Sequence, residues 1–199
     1  MIFLTPVVGY LIGSLPTANG LARLWGADLR SAGSGNPGAA NARRTGGFTL
    51  AAVVLLVEIG KGLLAVVVGL SMAGDLGGIL AGIGAAAGNV YNVWYRFDGG
   101  KGLGISSGVV IGLWPTAFPV FLAVMITVAF ITKASGIATL VTLATVVVLS
   151  FLWPAMEWEM AWGISEVELL PLLGIGLTLV LMQKHLFDAR NSLRRASRP

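Results

Sequence analysis

Nearly all the charge in this 199-residue chain falls in short segments between long apolar runs, and that pattern admits few architectures. Runs near 2–24, 49–73, 77–95, 136–155 and 167–184 each approach or exceed the roughly 20 residues needed to cross a bilayer. Inside lipid a backbone must satisfy its own polar groups, so each run is read as a helix. Composition agrees: 11% of the residues are charged, against about 25% in a soluble domain. The expected fold class is all-α, a polytopic membrane helical bundle. We read 1–199 as a single domain, with 185–199 a basic cytoplasmic tail. The first run lacks an early basic segment and a clear cleavage site, so it is read as a span and not as a signal peptide.

The run 103–132 is too long for one straight span and carries Trp114-Pro115 near its middle. Two short helices meeting at that turn are expected. Charge then sets the sidedness. With Arg23, Arg30, Arg43 and Arg44 inside, the next turn, holding Asp75, is outside. Arg96 and Lys101, Lys133, and the tail with Lys184, Arg190, Arg194, Arg195 and Arg198 all return inside. Glu157, Glu159, Glu166 and Glu168 fall outside. This obeys the positive-inside rule and predicts about seven transmembrane helices, N-terminus outside and C-terminus cytoplasmic.

Several chemistries are excluded. There are no cysteines, hence no disulfide, thiolate metal site or cysteine nucleophile, and the single histidine, His185, argues against a histidine metal site. Acidic residues are too sparse on the inner side for a Mg²⁺-binding cluster. Nothing around Ser34 resembles a nucleophile elbow.

What remains is a set of polar segments on the inner face. Gly33-Ser34-Gly35-Asn36-Pro37-Gly38-Ala39-Ala40-Asn41-Ala42-Arg43-Arg44 combines glycines with two arginines. Asn36-Pro37 predicts an N-cap and first helical residue, so a helix N-terminus faces the same spot. Arg43 and Arg44 offer forked donors to phosphate. An ordinary basic loop would explain the arginines but not Gly-Ser-Gly-Asn-Pro-Gly. Asp98-Gly99-Gly100-Lys101-Gly102-Leu103-Gly104 lets backbone wrap an anion while Lys101 adds a point charge, although it could equally cap a helix. Lys184-His185 closes the last span, where a helix C-terminus favours charged histidine; interfacial anchoring is the plain alternative. Ser135, beyond Lys133, is a further polar candidate. Glu58 and Lys61 lie within a span, three apart on one face, and can pair.

Two phosphate-type loops beside a membrane suggest a reaction between two phosphorylated molecules, one of them lipid-like. The ordered residues Gly13-Ser14-Leu15-Pro16-Thr17, Asp28-Leu29-Arg30, Ser34-Gly35-Asn36, Glu58-x-x-Lys61-Gly62, Gly99-Gly100-Lys101-Gly102 and Lys184-His185 carry a resemblance. The chain is similar to the bacterial acyl-phosphate:glycerol-3-phosphate acyltransferases. That resemblance implies transfer of a fatty acyl group from acyl phosphate to sn-glycerol 3-phosphate. The products would be 1-acyl-glycerol 3-phosphate (lysophosphatidic acid) and phosphate, the first step of phospholipid synthesis. It implies a multi-pass protein of the bacterial plasma membrane with its active site on the cytoplasmic face. No metal, cofactor or nucleic acid is implied. Carried over residue by residue, it assigns catalytic roles to Ser34, Arg44, Lys101 and His185. Substrate binding falls to Gly35, Asn36, Gly38, Asn41, Gly99, Gly100, Gly102 and Ser135. Departures from the family pattern stand at Glu58 for aspartate, Asn89 for histidine, Ala40 for threonine and Asp188 for asparagine. Two alternatives stay open from sequence: a diverged paralogue acting as a binding protein, and a transporter of phosphorylated anions.

Overall fold

The computed structural model describes residues 1–160 and 162–196. Arg198 of the expected basic tail lies outside the described residues, as does the side chain of Arg195. The helices are α1 (Thr5–Ser14), α2 (Thr17–Leu24), α3 (Ala39–Val90), α4 (Leu103–Leu113), α5 (Phe118–Thr132), α6 (Ser135–Ala155) and α7 (Leu170–Ala196). Among the described residues, five helical stretches are long and apolar enough to cross a membrane. The chain divides into two compact units, residues 1–113 and residues from 114 onward.

In the first unit, the run 2–24 is not one helix as expected. It breaks at Leu15-Pro16, where Leu15 is extended (φ −53°, ψ 124°). Proline supplies no N–H and pushes its predecessor out of the helical region, so α1 stops and a short, separate α2 begins. The 52 residues of α3 bend at Gly47 (φ 83°) and at Ala73-Gly74, where Gly74 has φ 61°. The Ala73-Gly74 turn separates the two expected helices, now 48–72 and 75–90. The second ends at Val90 and not at 95, followed by a 3₁₀ turn over Val93–Tyr95. Its last carbonyls are taken by the loop beyond: Gly99 N–H donates to Val90 O (3.0 Å) and Gly100 N–H to Asn89 O (2.9 Å).

Glycine contacts show how these helices run. A Cβ on Gly9 or Gly13 would strike the backbone of Ala81 or Ala85, and one on Gly84 or Gly88 that of Pro6 or Tyr10. Contact positions rise together, so α1 and 75–90 run parallel. Gly104 meets Glu58, Gly108 meets Ile59 and Gly112 meets Val66, again rising together, so α4 runs parallel to 48–72. Between helices in lipid, where burial of apolar surface gives little drive, close backbone approach through small residues is the available source of packing. The tyrosine hydroxyl of Tyr10 donates to Tyr91 O (2.6 Å), adding a polar tie. This arrangement collects the C-terminus of α1, the start of 48–72, Val90 and the start of α4 at one end of the unit.

In the second unit, the run 103–132 breaks at Trp114-Pro115 as expected, and α5 follows. Trp114 is fully buried, edge-on to Phe121 (5.2 Å) and Trp153 (5.4 Å). Lys133 in the left-handed region (φ 52°) turns the chain from α5 into α6. The last helix is longer than the expected span 167–184: α7 continues through Ala196, into the segment read as a basic tail. Residues 185–196 contain neither glycine nor proline, so nothing in the covalent chain stops the helix there.

Candidate functional site

At the gathered end of the first unit the chain encloses a cavity of about 260 Å³. One wall is Asn36, Pro37, Gly38, Ala39 and Ala40; the opposite wall is Gly100, Lys101, Gly102, Leu103 and Gly104; Leu55, Glu58 and Asn89 complete it. The two glycine-rich segments singled out in the sequence therefore face each other across one space.

The first wall is held by asparagines. Asn41 is buried, accepting from Ser34 N–H at Oδ1 (2.8 Å) and donating from Nδ2 to Leu29 O (2.9 Å) and Ala32 O (3.0 Å). Asn19 Oδ1 accepts the N–H of Leu29 (2.8 Å). Gly33 takes φ 62°, and a Cβ there would strike Asn41 Oδ1. Glycine is thus required by Asn41 as much as by any ligand. Asn41 braces the loop, because its amide is fully committed to the loop backbone. The expected N-cap is also corrected. Gly38, extended at φ −144° and ψ 168°, occupies the N-cap position, its carbonyl accepting from Asn41 and Ala42, and the helix starts at Ala39. No side chain caps the N-terminus of α3, whose first residues, Ala39 and Ala40, line the cavity.

Asp28 and Arg30 precede this wall and do not line the cavity. Asp28 accepts from Arg30 N–H (2.9 Å) and pairs with Arg23 (3.0 Å). The Arg30 N–H bond first, then the Arg23 guanidinium, hold the Asp28 carboxyl below the usual carboxylate range. Arg30 itself reaches Asp98: its Nη1 donates to Asp98 O (3.0 Å), and its guanidinium lies 5.0 Å over the Tyr95 ring. Sequence reasoning placed Arg30 among the inner-face charges but not as a link between the loops, because its partner is 68 residues away.

The second wall differs from an open anion nest. The N–H groups of Gly99 and Gly100 are spent on Val90 and Asn89. Gly99 and Gly100 serve as a clasp onto the 75–90 helix, leaving Lys101 and Gly102 (φ 79°) to present the loop to the cavity.

Beneath the cavity Glu58 and Lys61 pair as expected, at 3.1 Å, and both are about 6% exposed. Glu58 Oε1 also accepts from the Thr17 hydroxyl (3.0 Å) and Oε2 from Asn89 Nδ2 (2.7 Å). Lys61 donates to Leu15 O (2.9 Å), the carbonyl freed where Pro16 breaks α1. A buried ion pair is tolerable when every remaining polar site is met, and here it is.

Asn36, Gly38, Gly100, Lys101 and Gly102 therefore line the cavity. Ser34, Gly35, Asn41, Arg44 and Gly99 stand behind or beside its walls; Ser34 and Arg44 are exposed. Ser135 and His185 belong to the second unit. There Gly136 sits against the His185 carbonyl and Asp188 Cβ, so Ser135 begins α6 beside the His185–Asp188 turn of α7. His185 lies within α7, 1% exposed. His185 therefore does not stand at a helix C-terminus as expected, and the dipole there, which acts only near a terminus, does not reach it. Among the described residues no group of three or more His, Cys, Asp or Glu could hold a metal.

Fold and site together define a polytopic helical membrane protein with a cavity at one end of its first unit, lined by two glycine-rich segments and Lys101. A family model described as "Glycerol-3-phosphate acyltransferase" matches residues 3–195. The chain belongs to the glycerol-3-phosphate acyltransferase family. It is 44% identical over 181 residues to a glycerol-3-phosphate acyltransferase of Bradyrhizobium diazoefficiens, covering 90% of this chain and 85% of the relative. It is 47% identical over 137 residues to that of Brucella anthropi, covering 68% and 67%. Its fold matches the crystal structure of PlsY (YgiH), an integral membrane glycerol 3-phosphate acyltransferase in its glycerol 3-phosphate form. That match has a TM-score of 0.75 and 23% identity, covering 98% of this chain and 91% of that one.

Proposed function

We propose that this chain moves a fatty acyl group from acyl phosphate to sn-glycerol 3-phosphate, releasing lysophosphatidic acid and phosphate. The observation that carries the reading is the cavity itself. It sets Asn36 and the start of α3 on one side against Lys101 and Gly102 on the other, in a family whose relatives are named for glycerol 3-phosphate.

In the proposed reaction the acceptor hydroxyl oxygen attacks the acyl carbonyl carbon, the carbonyl-to-phosphate C–O bond breaks, and phosphate leaves. The departing phosphate takes the hydroxyl proton, so no enzyme base or covalent intermediate is needed. The protein's contribution is to place two anions together and offset their repulsion. Lys101 holds the acyl-phosphate phosphate. Ser34, Gly35, Asn36, Gly38 and Arg44 hold glycerol 3-phosphate, with Asn41 bracing their loop. Gly99, Gly100 and Gly102 shape the Lys101 loop. Neither metal nor cofactor takes part.

We place the site on the cytoplasmic face of the bacterial plasma membrane, in a single domain of about seven crossings with the N-terminus outside. Parallel α1 and 75–90, and parallel α4 and 48–72, support that order, because each pair is then separated by two crossings. Arg23, Arg30, Arg43, Arg44, Arg96 and Lys101 gather at the cavity end, while Asp75 follows the opposite turn.

The test is direct. Detergent-purified protein given palmitoyl phosphate and glycerol 3-phosphate is expected to release phosphate and form lysophosphatidic acid, with EDTA present. Palmitoyl-CoA in place of palmitoyl phosphate is expected to give none. Absence of product from palmitoyl phosphate overturns the reading.

A further inference from the structure

The Lys101 loop must be held, and the backbone bonds that hold it meet the last turn of 75–90 at Val90 and at Asn89, whose side chain is itself anchored. Asn89 sits in the last turn of the 75–90 helix. Its Nδ2 donates to Glu58 Oε2 at 2.7 Å, and its backbone carbonyl accepts the Gly100 N–H at 2.9 Å. A Cβ on Gly100 would come within 2.8 Å of Asn89 Oδ1, so the loop backbone lies directly against the amide. Glu58 is in turn fixed by Lys61 and Thr17, and Lys61 by Leu15 O.

We propose that Asn89 is a positioning residue that locks the glycine-rich loop carrying Lys101 onto the buried Glu58–Lys61 pair. The bonds form a continuous path from the α1–α2 break, through Lys61, Glu58 and Asn89, to Gly100. Asparagine suits this place chemically. It donates to a buried carboxylate without adding charge, and it is short enough to leave room for Gly100. An aspartate would set two carboxylates against each other, and a leucine would leave Glu58 Oε2 short of a donor. Glu58 meets the cavity as part of a neutralised pair, so the cavity's own positive charge stays with Lys101.

The kinetic side of this inference rests on the proposed acyl transfer; the loop lock does not. Two measurements separate them, on full-length protein in detergent. The first is amide hydrogen exchange of residues 98–104. Asn89→Leu is expected to speed it about tenfold, and Asn89→Asp likewise. Combining Asn89→Asp with Glu58→Gln reverses donor and acceptor, restores the charge count, and is expected to recover protection. The second is steady-state kinetics. Asn89→Leu is expected to raise the KM for palmitoyl phosphate about tenfold, with the KM for glycerol 3-phosphate changing less, and the double variant to recover most of the loss. Unchanged exchange in Asn89→Leu overturns the proposal, as does loss of protection that the double variant fails to recover. Altered and recovered exchange in a protein that makes no lysophosphatidic acid overturns the proposed reaction and leaves the loop lock standing.

Discussion

Arg30 and Asp98 join the two loops that lead into the cavity walls. The Arg30 Nη1 donates to the Asp98 carbonyl at 3.0 Å, and Nη2 lies 3.7 Å from the Asp98 carboxylate. Arg30 also reaches Gly35 O at 3.4 Å, so one side chain spans from the first loop to the approach of the second.

Because this pair is partly exposed, its loss has little effect on stability, within about 1 kcal/mol. Arg30→Ala is expected to lower kcat/KM by about tenfold while the melting temperature moves by a few degrees at most. Arg30→Lys is expected to recover little, since a lysine has one point charge where the guanidinium forks to several acceptors. Full recovery by lysine would show that charge alone suffices.

Lys101→Ala is expected to raise the KM for palmitoyl phosphate far more than that for glycerol 3-phosphate. A variant with full activity and unchanged acyl-phosphate affinity would falsify the assignment of Lys101.

Asn41→Ala leaves the Ser34 N–H and the Leu29 carbonyl without their partner, and the Ala32 carbonyl with the Gly35 N–H. Unmet buried groups cost about 1–3 kcal/mol each when water cannot reach them. The expected result is a fall in melting temperature together with loss of activity, measured by thermal scanning and phosphate release. Asn41→Asp is expected to resemble alanine at Leu29 and Ala32, because a carboxylate cannot donate to carbonyls.

Gly108→Ala places a methyl group against the Ile59 carbonyl and is expected to destabilise by about 1–3 kcal/mol. Gly60→Ala, in the same helix as Ile59 but with nothing within 4 Å, is expected to be neutral or slightly stabilising. Equal melting temperatures for the two variants would contradict close packing of α4 on 48–72.

Asp28 titrates below the usual carboxylate value because Arg30 N–H and Arg23 favour its charged form. A group lowered on folding stabilises the fold fully above its unfolded pKa and loses that contribution as pH falls through the folded one. Hydrogen exchange of residues 26–32 is therefore expected to accelerate as pH drops through the acid range, after correction for intrinsic exchange. Asp28→Asn is expected to abolish that acid-dependent step while already exchanging faster at neutral pH.

The helical membrane character, the break at Trp114-Pro115, the turn at Ala73-Gly74 between two expected helices, and the Glu58–Lys61 pair were all legible in the sequence. Each depends on local chemistry: hydropathy over a window, proline's missing N–H, or two charges three residues apart on one helix. Local signals also misled. Leu15-Pro16 broke a run read as one span, Gly38 took the N-cap position expected of Asn36, and α7 ran on past His185. In each case several short patterns were compatible with the same residues, and packing or backbone geometry chose among them.

The sequence by itself determined that the chain crosses a membrane as helices, and it singled out Gly33–Arg44 and Gly99–Gly104 as its two glycine-rich polar segments. Tertiary structure alone decided that these segments face one cavity, that Asn41 and Gly99–Gly100 brace its walls, and that Glu58 and Asn89 complete it. The physical reason is distance along the chain. Asn89 and Glu58 are 31 residues apart, and Arg30 and Asp98 are 68 apart. No local pattern encodes such pairs; they form only when close glycine contacts set α1, α3 and α4 side by side.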